Sequence, residues 1–340
     1  MLTLVTGGTG LVGNNVVRAL LERGQQVRVL TRATSDPRPL KGLDVEQVAG
    51  DVREADAVLR ACQGVDRIVH AAAMVHIGWG NRELHQSVNV EGTRHVVAGA
   101  LASGAQLIHV STVDTLGLGT RQQAADEDTP PDPRIMVPYI TTKRAAERLV
   151  LDAVADRSLN AVIVNPAYML GPWDWKPSSG RMLLHLARGR VKLAPRGGND
   201  FCDVRDVAGG ILAAAERGQP GRRFILGGEP LSYLQAWRLF AQVIGVSGPI
   251  CRAGPMMVWV AGKSGDVWRR FTGHEPDINS ASTGMSAEFH HYSYARAVAE
   301  LGYAPRSARE AATGAWRWFQ QHGYCARKPA VQAAPSVILP

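Results

Sequence analysis

The residues of this 340-residue chain that could do chemistry begin with Tyr139 and Lys143, in the run Tyr139-Ile140-Thr141-Thr142-Lys143. On a helix, positions i and i+4 share a face, so the ammonium stands over the same surface as the phenol. A phenol ionises near ~10, and a neighbouring cation favours the phenolate, which moves the group toward a useful acid/base range. A third polar group is then needed to hold the substrate oxygen, and the strand-like run Leu107-Ile108-His109-Val110-Ser111-Thr112 ends in two hydroxyls. A second candidate is Thr6-Gly7-Gly8-Thr9-Gly10-Leu11-Val12-Gly13, directly after an apolar run. A pyrophosphate needs close backbone approach and free amides at a helix N-terminus, and glycines supply both. Taken alone, Tyr-x3-Lys is usually a surface pair and a glycine string an ordinary turn. Their order along the chain is what links them.

That order comes from the elements around them. Short β-branched runs alternate with helical patterns through the front half, as in βαβ units of a parallel sheet. Strands are expected at Leu2 to Thr6, Val27 to Thr31, Val45 to Val48, Arg67 to Ala71, Leu107 to Ser111 and Ala161 to Asn165. Helices are expected at Leu11 to Arg23, Glu54 to Cys62, Glu83 to Ser103 and Tyr139 to Val154, with Gly24, Gly64 and Gly104 as stops. This is an α/β chain with a Rossmann-type doubly wound parallel sheet, and such a sheet places ligands at the C-terminal ends of its strands. The glycine string then lies between the first strand and first helix. Thr31 and Arg32 end the second strand, where an NAD site usually carries Asp or Glu. A guanidinium suits a 2′-phosphate, which favours NADP(H), with Ser35 as a second contact. In the alternative, Arg32 is a solvated charge, Asp36 reaches the ribose and the cofactor is NAD(H). Asp51 and Val52 are placed to touch the adenine, and Ala71, Ala72 and Ala73 are small where the cofactor passes close to backbone.

Composition narrows the rest. The 38 Lys and Arg against 30 Asp and Glu leave a net charge of +8 with no basic tract, which argues against nucleic acid. The cluster Arg181, Arg188, Arg190, Lys192 and Arg196 reads as a solvated helix end. Four scattered cysteines without CxxC spacing fit buried thiols in a reducing cytoplasm. No signal-peptide pattern and no apolar run of ~18 residues appears, so a soluble protein without an integral membrane span is expected. Of 8 Trp, 7 Tyr and 6 Phe, only Trp79, Tyr139 and Tyr168 fall before residue 171. The late aromatics suggest an apolar small-molecule substrate, with Trp79, Trp173 and Trp175 lining the mouth of the site beside Met74 and His76. The apolar runs Pro255 to Ala261 and Val267 to Phe271 read as core at helical spacing, or as a lid or membrane-surface patch. His290-His291 has no ligand partners in register, so no metal is expected. Residues 1–168 read as the dinucleotide-binding domain, with 199–228 returning to it. A smaller C-terminal α/β substrate portion takes 169–198 and 229–325, and 326–340 reads as a disordered tail.

The chain resembles the extended short-chain dehydrogenase/reductases of the NAD(P)-dependent epimerase/dehydratase group. TGGTGLVG, GDV at 50 to 52, HAAA at 70 to 73, VNVEGT at 88 to 93, the Ser-Thr strand end, YITTK, NPAYMLGP at 165 to 172 and DVRDVA at 203 to 208 carry the likeness to about residue 323. Among subgroups it is similar to dihydroflavonol-reductase-like, 3β-hydroxysteroid-dehydrogenase-like and hopanoid-associated sugar-epimerase proteins. The resemblance implies Thr112 as catalytic hydroxyl with Ser111 beside it, Tyr139 as general acid/base, and Lys143 on the nicotinamide ribose. It also implies cofactor contacts from Asn89 and Pro166, with Asn165 and Tyr168 where nicotinamide and substrate meet. Helices Glu83 to Ser103 and Tyr139 to Val154 would pair across a homodimer. Nucleotide-sugar members usually carry Arg-Asp-Phe before a DVRDVA-like strand, whereas this chain has Asn199-Asp200-Phe201. An NADP(H)-dependent reductase of a bulky, largely apolar carbonyl or alcohol is therefore expected. The alternatives are a nucleotide-sugar epimerase or dehydratase and a cofactor-sensing binding protein.

Overall fold

A computed structural model describes residues 1–120 and 122–325, so the expected tail lies outside the described residues. The strands are β1 Leu2–Thr6, β2 Gln26–Thr31, β3 Glu46–Ala49, β4 Arg67–His70, β5 Gln106–Val110, β6 Ala161–Pro166 and β7 Tyr168–Leu170. They continue as β8 Leu193–Ala194, β9 Gly198–Asp203, β10 Arg223–Leu226, β11 Glu229–Ser232, β12 Cys251–Arg252 and β13 Phe289–His290. The helices are α1 Leu11–Glu22, α2 Ala55–Ala61, α3 Arg82–His85, α4 Gly92–Ser103, α5 Pro138–Arg157 and α6 Arg181–Ala187. The rest are α7 Val204–Arg217, α8 Tyr233–Ile244, α9 Pro255–Thr272, α10 Ser280–Met285, α11 Ala295–Leu301 and α12 Ala308–Gln321.

Seven parallel strands form the main sheet in the order β10-β6-β5-β4-β1-β2-β3. Helices cover both faces, so the central strands carry near-continuous apolar side chains. On one face Val16, Val17 and Leu20 of α1 meet Ile211 and Leu212 of α7 and Leu301 of α11. On the other, Val58 of α2, Val96 and Ala100 of α4 and Val150 of α5 close the core. The order reverses between β1 and β4, and a ligand crevice opens at such a reversal.

A smaller sheet holds β11, β9 and β13 in that order, with β7 also on β9, and its core is the aromatic one. There Phe201, Tyr233, Trp237, Phe240, Trp318 and Phe319 pack together.

Three expectations change. Residues 199–228 do not return as one block, because β9 belongs to the small sheet while α7 and β10 belong to the parallel one. The DVRDVA run is not a strand: Asp203 ends β9 and its carboxylate accepts the Arg205 amide at 2.9 Å, which caps α7. The helix expected over 83–103 also carries a π-helical stretch at Gln86–Glu91, between α3 and α4. Such wide turns recur at functional sites.

Candidate active site

The cradle forms where β1 runs into α1. Gly7 has φ of +74°, and a Cβ there would come within 2.6 Å of the Ala72 amide nitrogen. A Cβ on Gly13 would collide with the Gly7 carbonyl. Gly10 stands at the open N-terminus of α1, which has no side-chain cap and no acidic residue in its first turn. Gly10 is exposed there, Thr9, Leu11 and Val12 are half-buried, and Ala71, Ala72 and Ala73 form the opposite wall. Uncapped amides and the positive end of the helix dipole suit an anion, so these residues fit a dinucleotide's pyrophosphate. Arg32 is exposed at the end of β2. The Asp36 carboxylate is taken by Arg38 at 2.6 Å, so it is not held toward a ribose. Asp51 pairs with Arg53 at 2.9 Å; that contact, against the opposing effect of burial and with help from Arg32, holds its carboxyl below the usual range. Val52 is buried, and its carbonyl meets His95 Nδ1 at 2.9 Å.

Asn89 lies in the π-helical stretch. Its Oδ1 accepts the Met74 amide at 2.7 Å, and its Nδ2 donates to the Met74 carbonyl and to Thr142 Oγ1, each at 3.1 Å. Its amide therefore fixes the backbone after β4. Pro166 closes β6, buried.

Tyr139 sits in the first turn of α5, buried, and the Thr112 hydroxyl stands near enough to favour its phenolate. Thr112 Oγ1 in turn donates to Asp114 Oδ2 at 3.2 Å. Asp114 Oδ1 is 3.3 Å from His290 Nδ1, and the other ring nitrogen meets the Met285 carbonyl at 2.9 Å. A ring that donates at Nε2 can face a carboxylate favourably at Nδ1 only as imidazolium. His290 is accordingly held above its ordinary range: burial opposes the charge, and Asp114 with the Met285 carbonyl outweighs it.

Lys143 lies on α5 one helical turn beyond Tyr139 and is buried. Its Nζ donates to the Val110 carbonyl at 2.8 Å, and burial pulls it down to about 8 against the pull of Glu147. Burial and Asp114 push Tyr139 above its ordinary range, with only Thr112 opposing. Ser111 departs from expectation. Its hydroxyl donates to Glu147 Oε2 at 2.6 Å, in a buried network with Thr115 and Asn165. Asn165 spends its Nδ2 on that network and on the Thr112 carbonyl at 3.0 Å. Ser111 and Asn165 thus support the strand end from behind.

The five substrate-side aromatic and loop positions divide into two places. Trp79 packs with Tyr139, Val137, Ile140, Ala281 and Met285, and its indole donates to Ser280 Oγ at 2.8 Å. Met74, His76 and Trp79 share the loop after β4, which Glu275 fastens by accepting the Trp79 and Gly80 amides at 2.8 Å and pairing with His76 at 3.0 Å. Trp173 and Trp175 are elsewhere: they cluster with Trp318 and His322, and the Arg18 guanidinium lies 3.3 Å over Trp173. They brace α1 against α12 and do not join Trp79. Tyr168 packs on Phe201 with ring centroids 5.0 Å apart, and its hydroxyl donates to the Ser179 carbonyl at 3.0 Å.

The model of the NAD dependent epimerase/dehydratase family matches residues 3–227. The chain belongs to this family. It is 35% identical over 328 residues to "Sterol demethylase protein B" of Methylococcus capsulatus, covering 95% of this chain and 99% of that protein. It is 30% identical over 328 residues to a 3-beta-hydroxysteroid dehydrogenase of Mycolicibacterium neoaurum, covering 91% and 88%. The crystal structure of gox2253 superposes with a TM-score of 0.84 at 37% identity, covering 95% of this chain and 98% of that one. The protein is therefore an NAD(P)-dependent oxidoreductase of the epimerase/dehydratase type, with the Rossmann sheet of that family.

Several side chains of the site are not singled out by the sequence motifs. Glu147 lies one helical turn beyond Lys143 and could have been flagged by spacing alone. Asp114 and His290 meet across 176 positions, and Asp200 meets His291 at 3.1 Å across 91. These are the carboxylate partners that the pair His290-His291 lacks in the sequence. The four cysteines are free; Cys62 and Cys202 are buried as expected, while Cys251 is exposed.

Proposed function

We propose that this family member is an NADP(H)-dependent oxidoreductase that reduces a carbonyl, or oxidises a secondary alcohol, on a bulky and largely apolar small molecule. The observation that carries the reading is the Tyr139 phenol near the Thr112 hydroxyl, set in an apolar wall of Ile77, Trp79, Ile135 and Met285. Thr112 holds the substrate oxygen, and Tyr139 gives it a proton in reduction or takes one in oxidation. Lys143 supplies positive charge behind the strand end and a donor for the nicotinamide ribose. The bound nicotinamide supplies or accepts the hydride. Asp114, fixed by His290, orients the Thr112 hydroxyl.

The exposed Arg32 and the engaged Asp36 support a preference for the 2′-phosphate. Two relatives whose names carry sterol or steroid support the apolar substrate class. Asn199 stands where nucleotide-sugar members carry the Arg that assists the diphosphate, which speaks against a nucleotide-sugar substrate. The same reading includes pairing of α4 and α5 across a homodimer, which a sedimentation measurement of mass reads directly.

The test is NADPH consumption across steroid-like, flavonoid-like, short-chain and nucleotide-sugar carbonyls. Net oxidation with the apolar ketones is expected. Purification with tightly held NAD, and no net redox with any of them, would instead favour the epimerase.

A further inference from the structure

Helix α9 is inside out for a helix of a globular domain. Its inward side is lined by Gly262 and Gly265, where an added Cβ would collide with Thr283 and with the Ile278 carbonyl. Its outward side carries Met256, Val260, Val267 and Phe271, spaced at four, seven and four residues and therefore on one line at ~100° per residue. Phe271 is 85% exposed and Met256 81%. Met257 and Trp268, also exposed, widen the stripe on one side. On the other side stand Trp259, Lys263 and Arg270. An apolar surface of this extent on a domain is an interaction site.

We propose that α9 is a docking surface for an anionic lipid bilayer, lying in the interface plane. The composition selects this occupant. Trp259 and Trp268 are the side chain type that seeks the headgroup level, while Met256, Val260, Val267 and Phe271 enter the acyl boundary. Lys263 and Arg270 flank the stripe where anionic headgroups would meet them, on a chain of net charge +8. A second copy docked on the same face across a two-fold axis would set these cations against each other. Among the described residues no helix is long and apolar enough to cross a membrane, and α9 carries Lys263, Asp266, Arg269 and Arg270 within its 18 residues. It lies on the bilayer and does not span it.

The position matters for the site. A groove of about 260 Å³ runs between α9 and α10 from Trp259 and Arg196 to Ser280, whose hydroxyl holds the Trp79 indole. Trp79 belongs to the apolar wall around Tyr139. Docking through α9 sets that wall beside the bilayer, so a membrane-dissolved substrate reaches the site without crossing water. This delivery role rests on the apolar-substrate reading; bilayer binding itself does not.

Sedimentation of the full chain with vesicles of phosphatidylglycerol and phosphatidylcholine tests the proposal, in the absence of any substrate. Binding to the mixed vesicles is expected, with at least about tenfold weaker binding to pure phosphatidylcholine, in high salt, and for the K263E/R270E variant. The W268S/F271S variant is expected to lose at least about tenfold as well, with unchanged turnover of a water-soluble carbonyl. Because both side chains are exposed, an unchanged Tm shows that the variant folds. The proposal is overturned if the protein stays in the supernatant with the anionic vesicles. It is equally overturned if W268S/F271S turns a dimer into a monomer, since a second copy then covers the face. A protein that binds vesicles yet consumes no NADPH would refute the oxidoreductase reading and leave the docking surface standing.

Discussion

Two tryptophan-rich regions of the back half have opposite fates. Trp318 stacks on His322 at 4.3 Å while Trp173 and Trp175 meet it edge-on at 5.9 and 5.0 Å, and Trp318 is 4% exposed. Trp259 and Trp268 of α9 stand in solvent, 64% and 59% exposed. The difference lies in what each segment presents inward. The Trp173 cluster meets the amphipathic face of α12, where Ala311, Ala312 and Ala315 leave room for rings. In α9 the close backbone approach at Gly262 and Gly265 turns the bulky residues out. Aromatic content therefore marks neither core nor substrate side by itself; the small residues opposite decide.

The comparison can be broken or sharpened by substitution. The third kind of aromatic is Tyr139, buried at the proposed acid/base position, and Tyr139→Phe is expected to lower kcat by about 10²- to 10⁴-fold. Cofactor affinity measured by fluorescence titration should stay near wild type, and retained turnover would end its acid/base role. Next in size is the contrast between clusters. Trp318→Ala should cost ~3–5 kcal/mol in chemical denaturation, whereas Phe271→Ala should fall within ~0.5 kcal/mol of wild type. Equal costs would mean that α9 is packed in solution.

A pH profile probes the charge behind Tyr139. With Lys143 at about 8, the ammonium is lost above that pH, and kcat/KM should fall about tenfold per unit there. Glu147 favours the charged form, so Glu147→Gln should move the break to lower pH; a break that moves upward contradicts the assignment. The smallest effect is expected at the exposed Arg32. Arg32→Asp should shift the NADP(H) to NAD(H) ratio of kcat/KM by about tenfold, the scale of one charge-assisted contact. An unchanged ratio removes the phosphate contact.

The parallel sheet was legible almost strand by strand, because β1 to β6 are short β-branched runs punctuated by glycine, and that signal is local. The site was legible only in part. Tyr139 and Thr112 are placed together by motifs on adjoining elements. Ser111 was misassigned because neighbouring residues of a strand point to opposite faces, so one step moves a hydroxyl from the crevice to the buried Glu147 network. Asn89 makes a further contact that no motif encodes, holding the Met74 backbone with its amide. Trp173 and Trp175 share with Trp79 only a place after a strand end, and the strands differ, β7 for the pair and β4 for Trp79.

By itself the sequence determined the sheet, the glycine cradle and the pairing of a phenol with a hydroxyl, since each depends on periodicity or on residues a turn apart. Only the tertiary structure decided that His290 would fix Asp114, that Ser111 would face away from the phenol, and that α9 would carry its bulky side chains outward. Those outcomes depend on which surface lies opposite across many residues of chain. Burial is a property of two faces, and the sequence of one helix describes only its own.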